Sequence, residues 1–333
     1  MASTLRVYNK HKTYHRFVSR AGFVKKLDNR IFRCIMCVMR SQDFGQISRL
    51  SESFSEDENL EVFRRICFIR YFELKVKEAS DKKLIKAPIY LSVGQESVAA
   101  ALSMVYQQPK IFGQHRCHDV YLAYGGDPVA LRDELLHRPT GCAGGMGGSA
   151  SIHSPKIGMV GHDGLLGTQV PIAVGYALGK DSKEKILSIM GDAALEEDYV
   201  MAATAFAAFK KAPILFICLD NNLSVLTEVK VRRHWTATDL AKAFKMSAVE
   251  ITDDPWLIMR HTAELQQNLP ALLNIHVVRH LWHNGTGCDG PPEWDRFQMV
   301  KEELARIGLK EKSENIEKKT EEEVALIWQP EFK

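Results

Sequence analysis

The sequence has no apolar run of the roughly eighteen residues that a membrane-spanning helix needs; residues 31–39 fall short, and Arg33 interrupts them. Net charge is almost absent as well, +3 over 333 residues, which removes any electrostatic argument for nucleic-acid binding by the chain as a whole. Cysteine is sparse and odd in number, seven residues scattered along the chain, a pattern of free thiols in a reducing compartment rather than of a disulfide framework. Cys34 and Cys37 have redox or half-zinc spacing, but no second pair follows to complete a metal site. No internal repeat is present.

What is there is the composition of an ordinary globular protein, 45% hydrophobic and 26% charged, long enough for one large or two modest domains. The charge is unevenly placed. Residues 1–40 hold ten Lys or Arg against one acid, Asp28, so this stretch carries +9 and the remainder about −6. Such an acid-poor start reads as an organelle transit segment, or as an over-extended reading frame with Met39 as the true start. Residues 51–59 are polar and acidic. The chain therefore divides into a basic extension and linker over 1–59, a main domain over 60–300, and charged helices, expected to be peripheral, over 301–333.

The main domain is organised around residues 191–224. Short apolar runs at 185–190 and 213–219 have the look of buried parallel strands, and between them residues 199–209 are Ala-rich without Gly or Pro. This is a βαβ unit. A helix of about fourteen residues rises roughly 20 Å, close to the length of a six-residue strand, so Asp192 and Asn222 both lie at carboxyl ends of parallel strands. That edge of an open α/β sheet holds ligands. A carboxylate and an amide oxygen converging there suit magnesium, although Gly-Asp and Asn-Asn are also ordinary turn residues.

Gly191-Asp192-Ala193 followed by Asn221-Asn222 resembles the thiamine-diphosphate motif, and within that class the alpha subunit of the 2-oxoacid dehydrogenase first component. The resemblance implies an α/β fold with a mainly parallel sheet flanked by helices. It implies Mg2+ held by Asp192, Asn222 and the Ser224 carbonyl against the diphosphate, with Ala193 and Ala194 alongside. Ala193 stands where the motif has Gly and adds a methyl.

Further segments match in order over residues 60–300. Residues 64–73 resemble the family's opening helix. Tyr90-Leu91-Ser92-Val93-Gly94-Gln95-Glu96 resembles its Gly-Gln-Glu helix start, with Tyr90 where pyruvate-using members carry a substrate-facing His. His115-Arg116 takes the place of a diphosphate-binding Tyr-Arg pair, and His118 that of a nearby active-site His. Two His flanking an Arg could equally bind metal. Residues 141–149 form a glycine-dense loop suited to close backbone approach, with Ser151 where the family has His. By resemblance, the Gly164 backbone bonds the aminopyrimidine, and Leu166 wedges the cofactor into a bent shape. His283 fits the last His of the segment after the final strand, and Asn284 stands where some mitochondrial relatives carry a phosphorylated Ser.

The implied function is thiamine-diphosphate-dependent oxidative decarboxylation of a 2-oxo acid, with acyl transfer to a lipoyl-bearing acyltransferase. His118 and His283 would shuttle protons, and Tyr90 would meet the substrate. The Glu that activates the cofactor comes from a beta subunit, so the chain alone should be inactive and work in an alpha-beta heterotetramer, in the cytoplasm or the mitochondrial matrix. Two alternatives stay open: a non-catalytic or regulatory paralogue, for which Tyr90, Ala193 and Ser151 are the expected drift, and a thiamine enzyme that needs no lipoyl partner.

Overall fold

The protein is described by a computed structural model covering residues 46–161, 164–179, 184–281 and 290–332. Ser55 opens the first helix, α1 (Glu56–Asp81), with a capping box: the Glu58 N–H donates to its hydroxyl, and its own N–H donates to the Glu58 carboxylate. Glu56, Asp57 and Glu58 in the first turn complement the helix dipole. α1 thus begins four residues before the apolar periodicity that predicts it from residue 60.

Next come α2 (Glu96–Val105), β1 (Lys110–Phe112), α3 (His118–Ala123), α4 (Pro128–Leu135), β2 (Met159–Val160) and α5 (Gln169–Gly179). The predicted βαβ unit is present as β3 (Ile186–Gly191), α6 (Asp198–Lys210) and β4 (Ile214–Asp220). A two-residue hairpin pair, β5 (Leu223–Ser224) and β6 (Thr227–Glu228), follows, then the single turn α7 (Val229–Arg232) and α8 (Ala237–Ala243). The chain continues through β7 (Ser247–Thr252), α9 (Pro255–Leu265), β8 (Ala271–His276), α10 (Arg296–Arg306) and α11 (Lys310–Trp328).

Six strands pair in the order β2-β1-β3-β4-β8-β7, every neighbour parallel. In β4 the side chains alternate between two cores: Leu215, Ile217 and Leu219 enter one, Ile214, Phe216 and Cys218 the other. The larger core joins α1, α2, α9, α10 and α11, and the smaller joins α5, α6 and α8. A sheet covered on both faces needs strands apolar on both sides, which is why 185–190 and 213–219 read as unbroken runs.

The two C-terminal helices are not peripheral. α11 lies along α1 and buries Val324 and Trp328, with the Trp328 ring edge-on to Phe72 at 5.6 Å. α10 adds Phe297, Val300 and Leu304 to the same core. Most of their charged residues lie on the outer faces, but Arg296 and Glu303 of α10 are themselves buried.

The glycine at the start of α2 is dictated by close packing. Gly94 has φ +96°, and a Cβ there would sit 2.3 Å from the Val278 carbonyl oxygen. Beside it, Glu96 accepts from the Gly94 N–H and pairs with the buried Arg70 of α1, whose guanidinium also reaches Asp295 at 2.7 Å. One buried cation thus ties α1, the entry to α2 and the entry to α10 together.

Candidate active site

Parallel pairing brings the carboxyl ends of β1, β3, β4 and β8 to one edge. The residues after them line two adjoining cavities. The first, about 200 Å³, is bounded by Gln95, Arg116, Asp192, Ala193, Asn221, Leu223, Ser224, Val225 and Arg279. The second, about 260 Å³, is bounded by Tyr90, Ala150, Gly164, Gly167, Gln169 and Ala194. Gln114, His115, Leu166 and Gly191 border both. Leu166 is 41% exposed, so this branched apolar side chain forms part of a wall between two chambers.

The structure gathers Tyr90, His115, Arg116, Gly164, Leu166, Asp192, Ala193, Ala194 and Ser224 around these chambers. Asn222 is beside them but does not line either. It takes the left-handed conformation, φ +63°, which Asn tolerates. Its N–H donates to Asp220 Oδ1 at 2.9 Å, and its carbonyl accepts from the Val229 N–H at 3.0 Å. Asn221 faces the first cavity instead. His283 lies outside the described residues, as do Cys34 and Cys37.

Asp192 opens a 3-10 turn, Asp192–Glu196, directly after β3 and is 2% exposed. Burial pushes its carboxyl up to about 6, with the charge of Asp220 adding to the rise and Arg232 opposing it. Arg232 Nη2 donates to Asp192 Oδ2 at 2.7 Å, and Nη1 donates to Glu196. Arg116 is buried and donates to the Leu91 carbonyl. The rings of Tyr90 and His115 meet edge to face, centroids 5.0 Å apart.

His118 is not in either cavity. Its side chain is fully buried at the start of α3, Nδ1 3.0 Å from Glu73 Oε1 and Nε2 2.9 Å from Ser149 Oγ. Ser149 Oγ also accepts from the Tyr90 N–H at 2.8 Å, so one hydroxyl joins the His118 ring to the backbone of Tyr90. His118 is therefore linked through Ser149 to the backbone of Tyr90, set back from the chambers rather than on their walls. His115 and His118 do not converge on a metal either. Among the described residues, no group of three or more His, Cys, Asp or Glu forms a metal cluster.

The glycine-dense loop also faces inward. N–H groups of Ala143, Gly145, Gly147 and Gly148 all donate to the fully buried Glu134 carboxylate, at 2.7 to 3.0 Å. Its backbone donors are taken by a protein anion rather than offered to a ligand.

The profile of the family described as dehydrogenase E1 component matches residues 64–324. The chain belongs to that family. It is 27% identical over 240 residues to the pyruvate dehydrogenase E1 component subunit alpha of Zymomonas mobilis, covering 68% of each chain. It is 30% identical over 174 residues to the mitochondrial subunit alpha-1 of Oryza sativa, covering 51% of this chain and 45% of that one. With the mitochondrial subunit alpha of Dictyostelium discoideum it shares 31% over 180 residues, 53% of this chain and 47% of that one. The chain thus spans about two thirds of the bacterial relative and about half of the other two. Among solved structures, a transketolase from Campylobacter jejuni superposes with a TM-score of 0.53 at 16% identity, covering 83% of this chain and 48% of that one, a likeness of fold.

The dehydrogenase E1 family is thiamine-diphosphate-dependent, and the E1 chain described here has the shape for that cofactor. A two-armed ligand fits two chambers that meet at Leu166, and Arg116 and Arg279 line only the first, placing an anionic arm there. Gly164, with φ +91°, adopts a backbone only glycine takes easily, and a Cβ there would meet nothing within 4 Å, so conformation rather than space sets this glycine. For the ion, Asp192 and Ser224 face the first chamber, but one carboxylate oxygen of Asp192 already accepts a hydrogen bond from the Arg232 guanidinium. Sequence reasoning missed Arg232, Glu134, Ser149 and Glu73. Arg232 had one available signal, an Arg-Arg pair about ten residues after Asn-Asn; the others act across long sequence separations and leave none.

Proposed function

We propose that this chain is the alpha subunit of a thiamine-diphosphate-dependent 2-oxo acid dehydrogenase first component, working with a beta subunit in a heterotetramer. The observation that carries the reading is the pair of chambers at the strand tips, meeting at Leu166 with arginines on one side only. When bound, thiamine diphosphate supplies the electron sink that lets a 2-oxo acid lose carbon dioxide. Arg116 and Arg279 would bind its diphosphate, and Asp192, Ser224 and Asn222 would hold Mg2+ beside it. Gly164 and Leu166 would seat the aminopyrimidine. The acyl group would pass to a lipoyl-bearing acyltransferase.

Tyr90 and His115 stand together on the wall of the second chamber. The Tyr90 phenol would orient a substrate carboxylate by donating a hydrogen bond, with the His115 ring packed against it. His283 is proposed as a second proton-carrying group. The site of action is the cytoplasm, or alternatively the mitochondrial matrix; the relatives include a bacterial subunit and one named mitochondrial.

The pairing of Asp192 with Arg232 favours a second reading, a non-catalytic paralogue that keeps the fold. Calorimetric titration of the assembled alpha-beta complex with thiamine diphosphate and Mg2+ separates them. The first reading expects saturable binding that Asp192→Ala abolishes, together with carbon dioxide release from a 2-oxo acid. No binding to the wild-type complex, or undiminished binding by Asp192→Ala, would overturn it.

A further inference from the structure

The chain after β4 folds back onto the tip of β3 through one side chain. Arg232, at the end of α7, donates from Nη2 to Asp192 Oδ2 at 2.7 Å, from Nη1 to Glu196, and from Nε to the Thr227 carbonyl at 3.3 Å. Arg233 supports the same contact, with Nε 3.0 Å from Glu196 Oε1 and the guanidinium 4.5 Å over the Trp235 ring. Arg232 is 13% exposed and Asp192 3% exposed in their side chains, so water screens the pair little. Arg232 borders neither chamber, whereas Asp192 borders the first. The guanidinium thus holds one oxygen of a carboxylate that borders the chamber without bordering the chamber itself.

We propose that Arg232 is a built-in counter-cation of the metal site, a positioning residue that holds Asp192 and makes a divalent ion bind only together with the diphosphate. The inference rests on the thiamine-diphosphate reading above and adds to it an order of assembly. A free dication approaching Asp192 meets a fixed positive charge already bonded to Oδ2 of the same carboxylate, and like charges sharing one poorly screened carboxylate repel strongly. An ion that arrives already neutralised by diphosphate does not, because its net charge is negative and Arg232, Arg116 and Arg279 all attract it. The same contact keeps the halves of the site in register: Asp192 follows β3, Ser224 lies in β5, and Arg232 bridges the turn after one to the segment carrying the other.

The test uses the full-length chain and Mn2+ as the probe, with binding followed by the electron paramagnetic resonance of free Mn2+. Wild type is expected to bind Mn2+ weakly alone and at least about tenfold more tightly with inorganic pyrophosphate present, the free-energy equivalent being about 1.4 kcal/mol. Arg232→Gln keeps an amide donor for Asp192 but removes the charge. It should bind Mn2+ alone about tenfold more tightly than wild type and lose most of the gain from pyrophosphate. Arg232→Lys restores the charge and should restore the wild-type pattern, a rescue that a merely structural role would not give. Equal Mn2+ affinity in wild type and Arg232→Gln, an Arg232→Lys variant that behaves like Arg232→Gln, or no Mn2+ binding by any of the three overturns the inference. Thiamine diphosphate titrated into the same wild-type sample separates this from the functional reading. Coupled Mn2+ and pyrophosphate binding without thiamine diphosphate binding would sink the functional reading and leave the role of Arg232 intact.

Discussion

Glu134 shows how one residue can change what a loop is for. Its buried carboxylate takes four peptide protons from residues 143–148, so the glycines serve to let the chain wrap an internal anion. Glu134→Gln would set an amide NH2 against donors that need an acceptor and leave them unsatisfied, at a cost of about 3 kcal/mol. The expected outcome is a lower melting temperature with faster amide exchange at 143–148; unchanged exchange there would contradict it. Asp119 supplies a pH effect. Burial, then the nearby charge of Glu73, pushes its carboxyl up to about 7, above the ordinary 3.8. A raised carboxyl favours the folded state when protonated, so its contribution is present below about pH 4 and is lost as pH rises through about 7. Between those limits stability should fall by up to roughly 1.4 kcal/mol per pH unit relative to Asp119→Asn. Melting curves of both proteins from pH 5 to 8 check it, and a constant difference between them would refute the assignment.

At the scale of elements, α11 is the instructive case. Its sequence is rich in Lys and Glu, and a mostly charged helix is by default a solvated one. Yet Val324 and Trp328 are fully buried against α1, and Glu331 just beyond the helix pairs with Arg138. Trp328→Ala should cost about 3–5 kcal/mol, read as a lower urea midpoint. A change below about 1 kcal/mol would return α11 to the periphery. The βαβ unit was easier to foresee. Apolar runs on both sides of an uninterrupted Ala-rich stretch leave few other arrangements, and the observed strands differ from the expected ones by about one residue.

Across the whole molecule, legibility follows sequence distance. Asp192 was legible as the residue after a parallel strand, whereas Leu166, Arg116 and Ser224 came from the resemblance to the family; all four line the first chamber. The placement of His118 away from the chamber walls was not legible, although it lies two residues from Arg116. A new helix starts between them and turns the His toward Glu73, 45 residues earlier, a contact no local pattern encodes. The ion pair of Arg232 and the enclosure of Glu134 are likewise properties of packing. Similarly, Ser55 and Glu58 carried the true start of α1 in plain view, but hydrophobic periodicity, which starts later, outweighed the cap.

The inward turn of the glycine loop has a wider effect. Peptide groups cannot be replaced by point mutation, and here those of residues 143–148 are committed to holding the scaffold together. The long side chains of Tyr90, His115, Arg116 and Arg279 line the chambers instead. A pocket keyed in this way can acquire a new preference one codon at a time, while the frame beneath it stays the same.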